Sequence, residues 1–196
     1  MTRHTVFFAT AALAGLLTFG CSSSLTARRI VQPAKPVHPR IAILPFENLS
    51  GKEKAGVKVT DYFHSLMTAN PRYETVPYGQ SFDVLRKLRV RSAALITNEQ
   101  IDSVASLLNL DYLLTGSVLE YDEFENTYLG RTPQVSFNTR LIECSTGKTI
   151  WVGVANGSGD KGEVVFGLGA VRSADNLARS MVSDAVVKFS AAFAKQ

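Results

Sequence analysis

Histidine and cysteine are scarce in this chain: three and two among 196 residues. That scarcity excludes a zinc cluster, which needs several such ligands at short spacing. No G-x-S-x-G elbow and no neighbouring His/Cys pair occurs, so the common nucleophile arrangements are missing too. No apolar run reaches the roughly 20 residues of a spanning helix. A complete phosphate loop is also lacking. STGKT, Ser145 to Thr149, carries its last letters, but Ile142 stands where the first glycine belongs and a strand-like run follows. It reads as a hairpin turn, so no nucleotide is expected. GLGAV, Gly167 to Val171, lacks the third glycine of a dinucleotide fingerprint and reads as a connection.

The sequence pI near 9.1 suggests a nucleic-acid binder, but the placement of charge does not. Residues 1–40 hold Arg3, Arg28, Arg29, Lys35 and Arg40 and no acid. Residues 41–196 hold 16 basic and 17 acidic residues, a net of −1. Without a basic face the phosphate term that dominates nucleic-acid affinity is missing, and no nucleic-acid partner is expected.

The N-terminus has a stronger signal. Arg3 and His4 precede the apolar run Val6 to Leu17, and small Gly20 sits before Cys21. These are the parts of a secretory signal. Cys21 has three readings: a disulfide with Cys144, a buried thiol, or a modified residue. Thr18-Phe19-Gly20-Cys21 resembles the lipobox of bacterial lipoprotein precursors, with Leu17 one place further out than usual. The resemblance implies cleavage before Cys21, a diacylglyceryl thioether on its sulfur and an acyl chain on its new N-terminus. No other cofactor is expected. Ser22, in place of an inner-membrane-retaining Asp, favours the outer membrane, with the domain facing the periplasm. Cys144, at the end of the alternation RLIEC, then reads as a small core hydrophobe.

The expected organisation is a signal peptide over 1–20, a lipidated, proline-rich tether over 21–40 and one α/β domain over 41–196. Pro33, Pro36 and Pro39 favour extended geometry, which gives the tether a reach of about 60 Å. In the domain, RIAIL is a buried strand stopped by Pro45. Val59, Phe63, Leu66 and Met67 lie at helical spacing, and Pro71 ends that helix. RYETVP is a short strand and GQSFDVLRKLRV a helix whose terminal cations offset exposed carbonyls. Thr97 with Gln100 forms a capping box for a further helix. DYLLTGSVLEY, VSFNTRLIEC and KTIWVGVAN are strands, and Ser173 opens a long C-terminal helix. The fold class is α/β (α+β): a mixed sheet of about five strands flanked by helices.

Candidate chemistry is thin. His64 in DYFHSLM reads as a helix histidine, since Ser65 at i+1 does not face it. EYDEFE carries Glu120, Asp122, Glu123 and Glu125 without the spacing of a calcium loop. A solvated strand end is the default; a glycosidase-type pair, Glu120 and Glu123, is the enzymatic alternative. FENTYLGRTP reads as a loop in which Phe124, Tyr128 and Leu129 either anchor a partner or fold back onto the sheet.

RIAILPFENLSG, LNLDYLLTGSVLEY and LIECSTGKTIWVGVANGSG together resemble the periplasmic domains of the CsgG family, the TolB N-terminal domain and LpoB-type activators of peptidoglycan synthases. The resemblance implies core roles for Ile41, Ile43, Leu44, Leu113, Leu114 and Trp151. It implies no catalytic residue, and a protein that acts by binding other envelope proteins: a secretion apparatus or a penicillin-binding cell-wall synthase. A CsgG-type pore needs two membrane hairpins of roughly 20 residues each. Asp122–Gln134 and Ala155–Arg172 are the two places for them. They are short or charged, so the expectation is an accessory lipoprotein, with an oligomeric outer-membrane pore subunit as the alternative.

Overall fold

The computed structural model describes residues 24–29, 38–126, 130–160 and 171–194. Cys21, Tyr128, Leu129 and most of GLGAV lie outside them. The elements are β1 (Ser24–Arg29), β2 (Arg40–Ile43), β3 (Glu47–Asn48), α1 (Ala55–Thr68), β4 (Glu74–Thr75), α2 (Tyr78–Lys87), α3 (Asn98–Leu108), β5 (Tyr112–Asn126), β6 (Gly130–Glu143), β7 (Lys148–Ser158) and α4 (Ala174–Ala194), with a 3₁₀ turn at Ala93–Leu95. They build a mixed, seven-stranded sheet in the order β1-β7-β6-β5-β2-β4, with β3 also on β5.

The strand count corrects the sequence estimate of about five. β1 and β3 are the additions. Residues 24–29, assigned above to the tether, pair antiparallel with β7 from Ser24↔Asn156 to Arg29↔Trp151. Among the described side chains of SLTARR Leu25 alone is buried, a weak apolar alternation at a sheet edge that gives no strand signal. β2 and β3 are one strand path interrupted at Pro45. Ile41–Ile43 pair in parallel with Tyr112–Leu114, and Glu47–Asn48 resume with Ser117–Val118. Proline has no N–H to offer the ladder between them.

The two sheet faces alternate as the pleat requires. One face carries Ile41, Ile43, Tyr112, Leu114, Phe137 and Trp151 and is covered by α1 and α4. On this face Phe46 stacks on Phe63 at 5.0 Å, and Phe63 meets Phe137 edge-on at 5.8 Å. Gly116 makes the room. A Cβ there would lie 2.1 Å from the Asn138 carbonyl oxygen and 2.5 Å from the Phe46 ring. The opposite face carries Ala42, Leu44, Leu113, Ile142 and Cys144 under α2 and α3.

Local signals read from the sequence hold in detail. Thr97 Oγ1 accepts from Gln100 N while Gln100 Oε1 accepts from Thr97 N, the reciprocal capping box. STGKT is the β6–β7 turn: Gly147 has φ 65° and its N–H donates to Glu143 O at 2.9 Å. Ser173 O accepts the first bond of α4, from Leu177 N at 3.0 Å. Cys144 is buried, and desolvation, reinforced by Asp111, Asp102 and Glu143, pushes its thiol pKa up to about 12.

Two outcomes follow. Gly116→Ala forces backbone or ring displacement and is expected to cost about 1–3 kcal/mol, a loss of roughly 3–10 °C in melting temperature. An unchanged melting curve would contradict the close approach. Cys144 should resist maleimide at pH 8 in the folded protein and react once denaturant unfolds it.

Candidate interaction surface

β5 and β6 run past the rest of the sheet. Their antiparallel ladder starts at Tyr112↔Glu143 and continues to Asn126↔Gly130, with one bulge between Val118 and Glu120. β7 stops at Ser158, opposite Gln134. Four rows lie beyond that point, from Glu123↔Pro133 onward; the first is also held by Gly159, whose N–H donates to the Pro133 carbonyl at 2.9 Å. Phe124 thus lies on a hairpin arm, not in the loop expected from FENTYLGRTP. It neither folds back nor disappears into the core; it is 48% exposed. The miss has a physical reason: DEFE and RTP carry poor β-propensity, and ladder continuity from the buried end overrides it. Four rows fall well short of the 9–11 residues of a membrane-spanning strand.

The bulge sets what each arm residue faces. It restores Tyr121 and Glu123 to the helix-covered face and puts Glu120, Asp122 and Phe124 on the other. Glu120 and Glu123 are therefore on opposite sides of the sheet and do not converge as a glycosidase pair. Glu123 Oε1 instead accepts from Ala174 N at 2.9 Å, an orphan donor of the first turn of α4.

Three elements are pinned at the root of the arm. Lys58 Nζ of α1 donates to Asp175 Oδ1 at 2.8 Å and Oδ2 at 3.1 Å. The Tyr121 hydroxyl donates to the same carboxylate, and Lys58 lies 5.5 Å from the Tyr121 ring centre. Lys52 pairs with Asp122 at 2.9 Å. Asp175 is held below the usual carboxylate range by Lys58 and Tyr121, and Lys58 is raised mainly by its bond to Asp175. Burial and Asp175 together push the Tyr121 phenol up. The open groove here measures about 460 Å³ and includes these groups. Asp122, Glu123 and Asp175 are each bonded to another element of the chain, which makes a latch between arm and helices, while Glu53 at the groove's edge is exposed. Among the described residues no three His, Cys, Asp or Glu side chains converge as metal ligands. His64 donates from Nε2 to the Val76 carbonyl at 3.1 Å and joins α1 to the start of α2.

Two further surfaces share the arm's outer face. Among the described residues α2 and α3 cover β2, β4, β5 and the Ile142 end of β6. The rest of this face shows Thr26, Arg28, Val152 and Val154 along a groove of about 400 Å³. Arg140 and Asn138 lie next to it in register with Val152 and Val154. At the C-terminal end of α2, Pro45, Phe82, Leu85, Val90 and Ala93 line a groove of about 300 Å³, with Arg86 and Arg91 at its rim. Arg89 shapes this corner. It takes a left-handed φ of 54° at the C′ position. Val90 N bonds Leu85 O at 2.9 Å and Arg89 N bonds Arg86 O at 3.1 Å, the paired bonds of a Schellman motif.

Asp175→Asn should lower stability by about 1 kcal/mol, because the pair is more than a third exposed and solvent screens it. Its carboxyl is depressed, so its contribution is complete above a pH of about 4 and fades as pH falls through its native value. Lys58 is raised, so its share fades only above about pH 10.5. The melting-temperature gap between wild type and variant is thus expected to be flat from about pH 5 to 9 and to close in acid. A gap that widens in acid would contradict the latch.

No protein-family model matches the chain, and no curated protein matches it. Solved structures do. The PelC dodecamer of Paraburkholderia phytofirmans superposes with a TM-score of 0.54 at 18% identity, over 83% of this chain and 95% of that one. Lipoprotein GNA1162 of Neisseria meningitidis gives 0.50 at 19%, over 78% and 98%. The E. coli LpoB structure gives 0.50 at 16%, over 64% and 60%. At these identities the likeness is one of fold, and the fold is that of LpoB and GNA1162, in line with the LpoB resemblance read from the sequence.

Proposed function

We propose that the chain is a lipid-anchored, non-enzymatic interaction module of the cell envelope. Acyl chains on Cys21 hold it in the outer membrane, and the α/β domain faces the periplasm. There it serves envelope assembly, secretion or peptidoglycan synthase activation through contact with other envelope proteins. The observation that carries this reading is the half-uncovered sheet. Thr26, Arg28, Val152 and Val154 present a mixed apolar and polar strip that no helix shields among the described residues. Val154 is 38% exposed, an unusual position for a central-strand valine. Such a strip suits a protein partner better than a small ligand, since its walls are shallow and hold no convergent polar groups.

Two facts support the anchor. One is the lipobox-like TFGC at residues 18–21. The other is the fold shared with a lipoprotein, GNA1162. The pairing of residues 24–29 with β7 shortens the leash considered above. The domain then works close to its anchor unless β1 is released.

The test is detergent-phase partitioning and acyl-probe labelling of the full chain in cells. Wild type is expected in the detergent phase and labelled. Cys21→Ala should be unlabelled, keep its signal peptide and lose outer-membrane retention. A wild-type chain that is unlabelled and recovered in the aqueous phase would refute the anchor. Crosslinking from Val154 that recovers no envelope protein would refute the interaction role.

A further inference from the structure

The arm carries an exposed aromatic ring, and the α2 groove is an apolar recess on the same chain. On its outer face the arm places Phe124 with Glu120 and Asp122, of which Asp122 is paired to Lys52. The groove has an apolar floor of Pro45, Leu85, Val90 and Ala93 and a half-exposed Phe82 beside it. Arg86 and Arg91 stand at its rim, and Lys87 and Arg89 lie on the same exposed corner. Arg86 is paired with Asp83 at 3.1 Å, with both side chains well exposed.

An arm cannot reach the groove of its own chain. The groove abuts the middle of β5, where Thr115 Oγ1 donates to Ala93 O at 3.0 Å. Phe124 lies nine residues further along the strand, roughly 30 Å away at strand rise. The ladder and the root latch keep that distance fixed. An arm that fills this groove therefore belongs to another molecule.

We propose that the arm of one copy seats Phe124 in the α2 groove of a second copy, with Glu120 facing the arginine rim. Anchor and pocket follow the pattern of an aromatic hot spot: a ring enters an apolar recess while charges at the edge set orientation. The contact joins two different surfaces, so it is heterologous and builds a closed ring or a chain of copies. The groove volume of about 300 Å³ suits one aromatic side chain better than a cofactor. Because the edge is ionic, the contact weakens as salt shortens the screening length. The proposal concerns the folded domain alone and stands whether or not Cys21 is acylated.

The test uses the full chain in cells with benzoylphenylalanine at position 124. Irradiation should give a product of twice the chain mass, with the link mapped to residues 78–93 of the second copy. Arg91→Glu should lower its yield about threefold, the size of one exposed ion pair. Adding Glu120→Arg to that variant should restore the yield. Phe82→Ser, at an exposed position that can be changed without touching the core, should lower it as well. Melting curves confirm that each variant is folded, and an unfolded one is replaced by Phe82→Ser. A cross-link to a different protein, a product confined to one chain, or a paired reversal that fails to restore the yield would each overturn the proposal.

Discussion

The β5–β6 ladder is the constraint on which the rest of the structure depends. Its rows begin between the two helix layers and continue past the end of β7, so one continuous hydrogen-bonded ribbon supplies both core and arm. Inside, it presents Leu114, Val118 and Phe137 to α1 and α4 and Leu113 and Ile142 to α2 and α3. Outside, an isolated two-stranded hairpin is marginal in water. This one is not isolated: Tyr121, Asp122 and Glu123 at its root are tied to α4 and to the residues leading into α1. The bulge after Val118 allows both jobs, because it resets the pleat so that Tyr121 reaches Asp175 while Phe124 points away from the helices.

Coverage of the sheet explains where interaction is possible. α4 and α1 shield one face along its length, with Trp151 and Phe189 meeting edge-on at 5.7 Å. Among the described residues α2 and α3 shield only part of the other. The uncovered part, the arm and the α2 groove therefore lie on one side of the molecule. On that side lie the exposed apolar residues Phe82, Phe124 and Val154, a set suited to contact with other proteins.

Much of this was legible in the sequence, and the misses are instructive. The capping box at Thr97 and Gln100, the turn at Gly147 and the buried runs around Ile41 and Leu113 each have a local pattern with a local cause. So does Cys144, whose place in the alternation of RLIEC marks it as core. β1 has no such pattern: a short edge strand needs few apolar residues, and the prolines that follow dominate the composition of residues 21–40. The arm carries a loop-like sequence because its pairing is driven from the buried end of the ladder, not by DEFE itself. The latch was invisible for another reason: Lys58 and Asp175 lie 117 residues apart, and no spacing rule joins them. Arg89 in a left-handed cap, where glycine is usual, gives no composition signal either. The resemblance to LpoB-type proteins anticipated the fold, and the exposed placement of Phe124 came only with the structure.

Native-state hydrogen exchange resolved by residue is the most direct measurement of the central constraint. If one ladder carries core and arm, amides from Leu113 to Val118 should exchange only through global unfolding. Those from Tyr121 to Phe124 should then show intermediate protection that falls toward the tip. Coil-like exchange of the arm residues beside a fully protected core would show that the ribbon ends at the bulge, and the rigid arm would not exist.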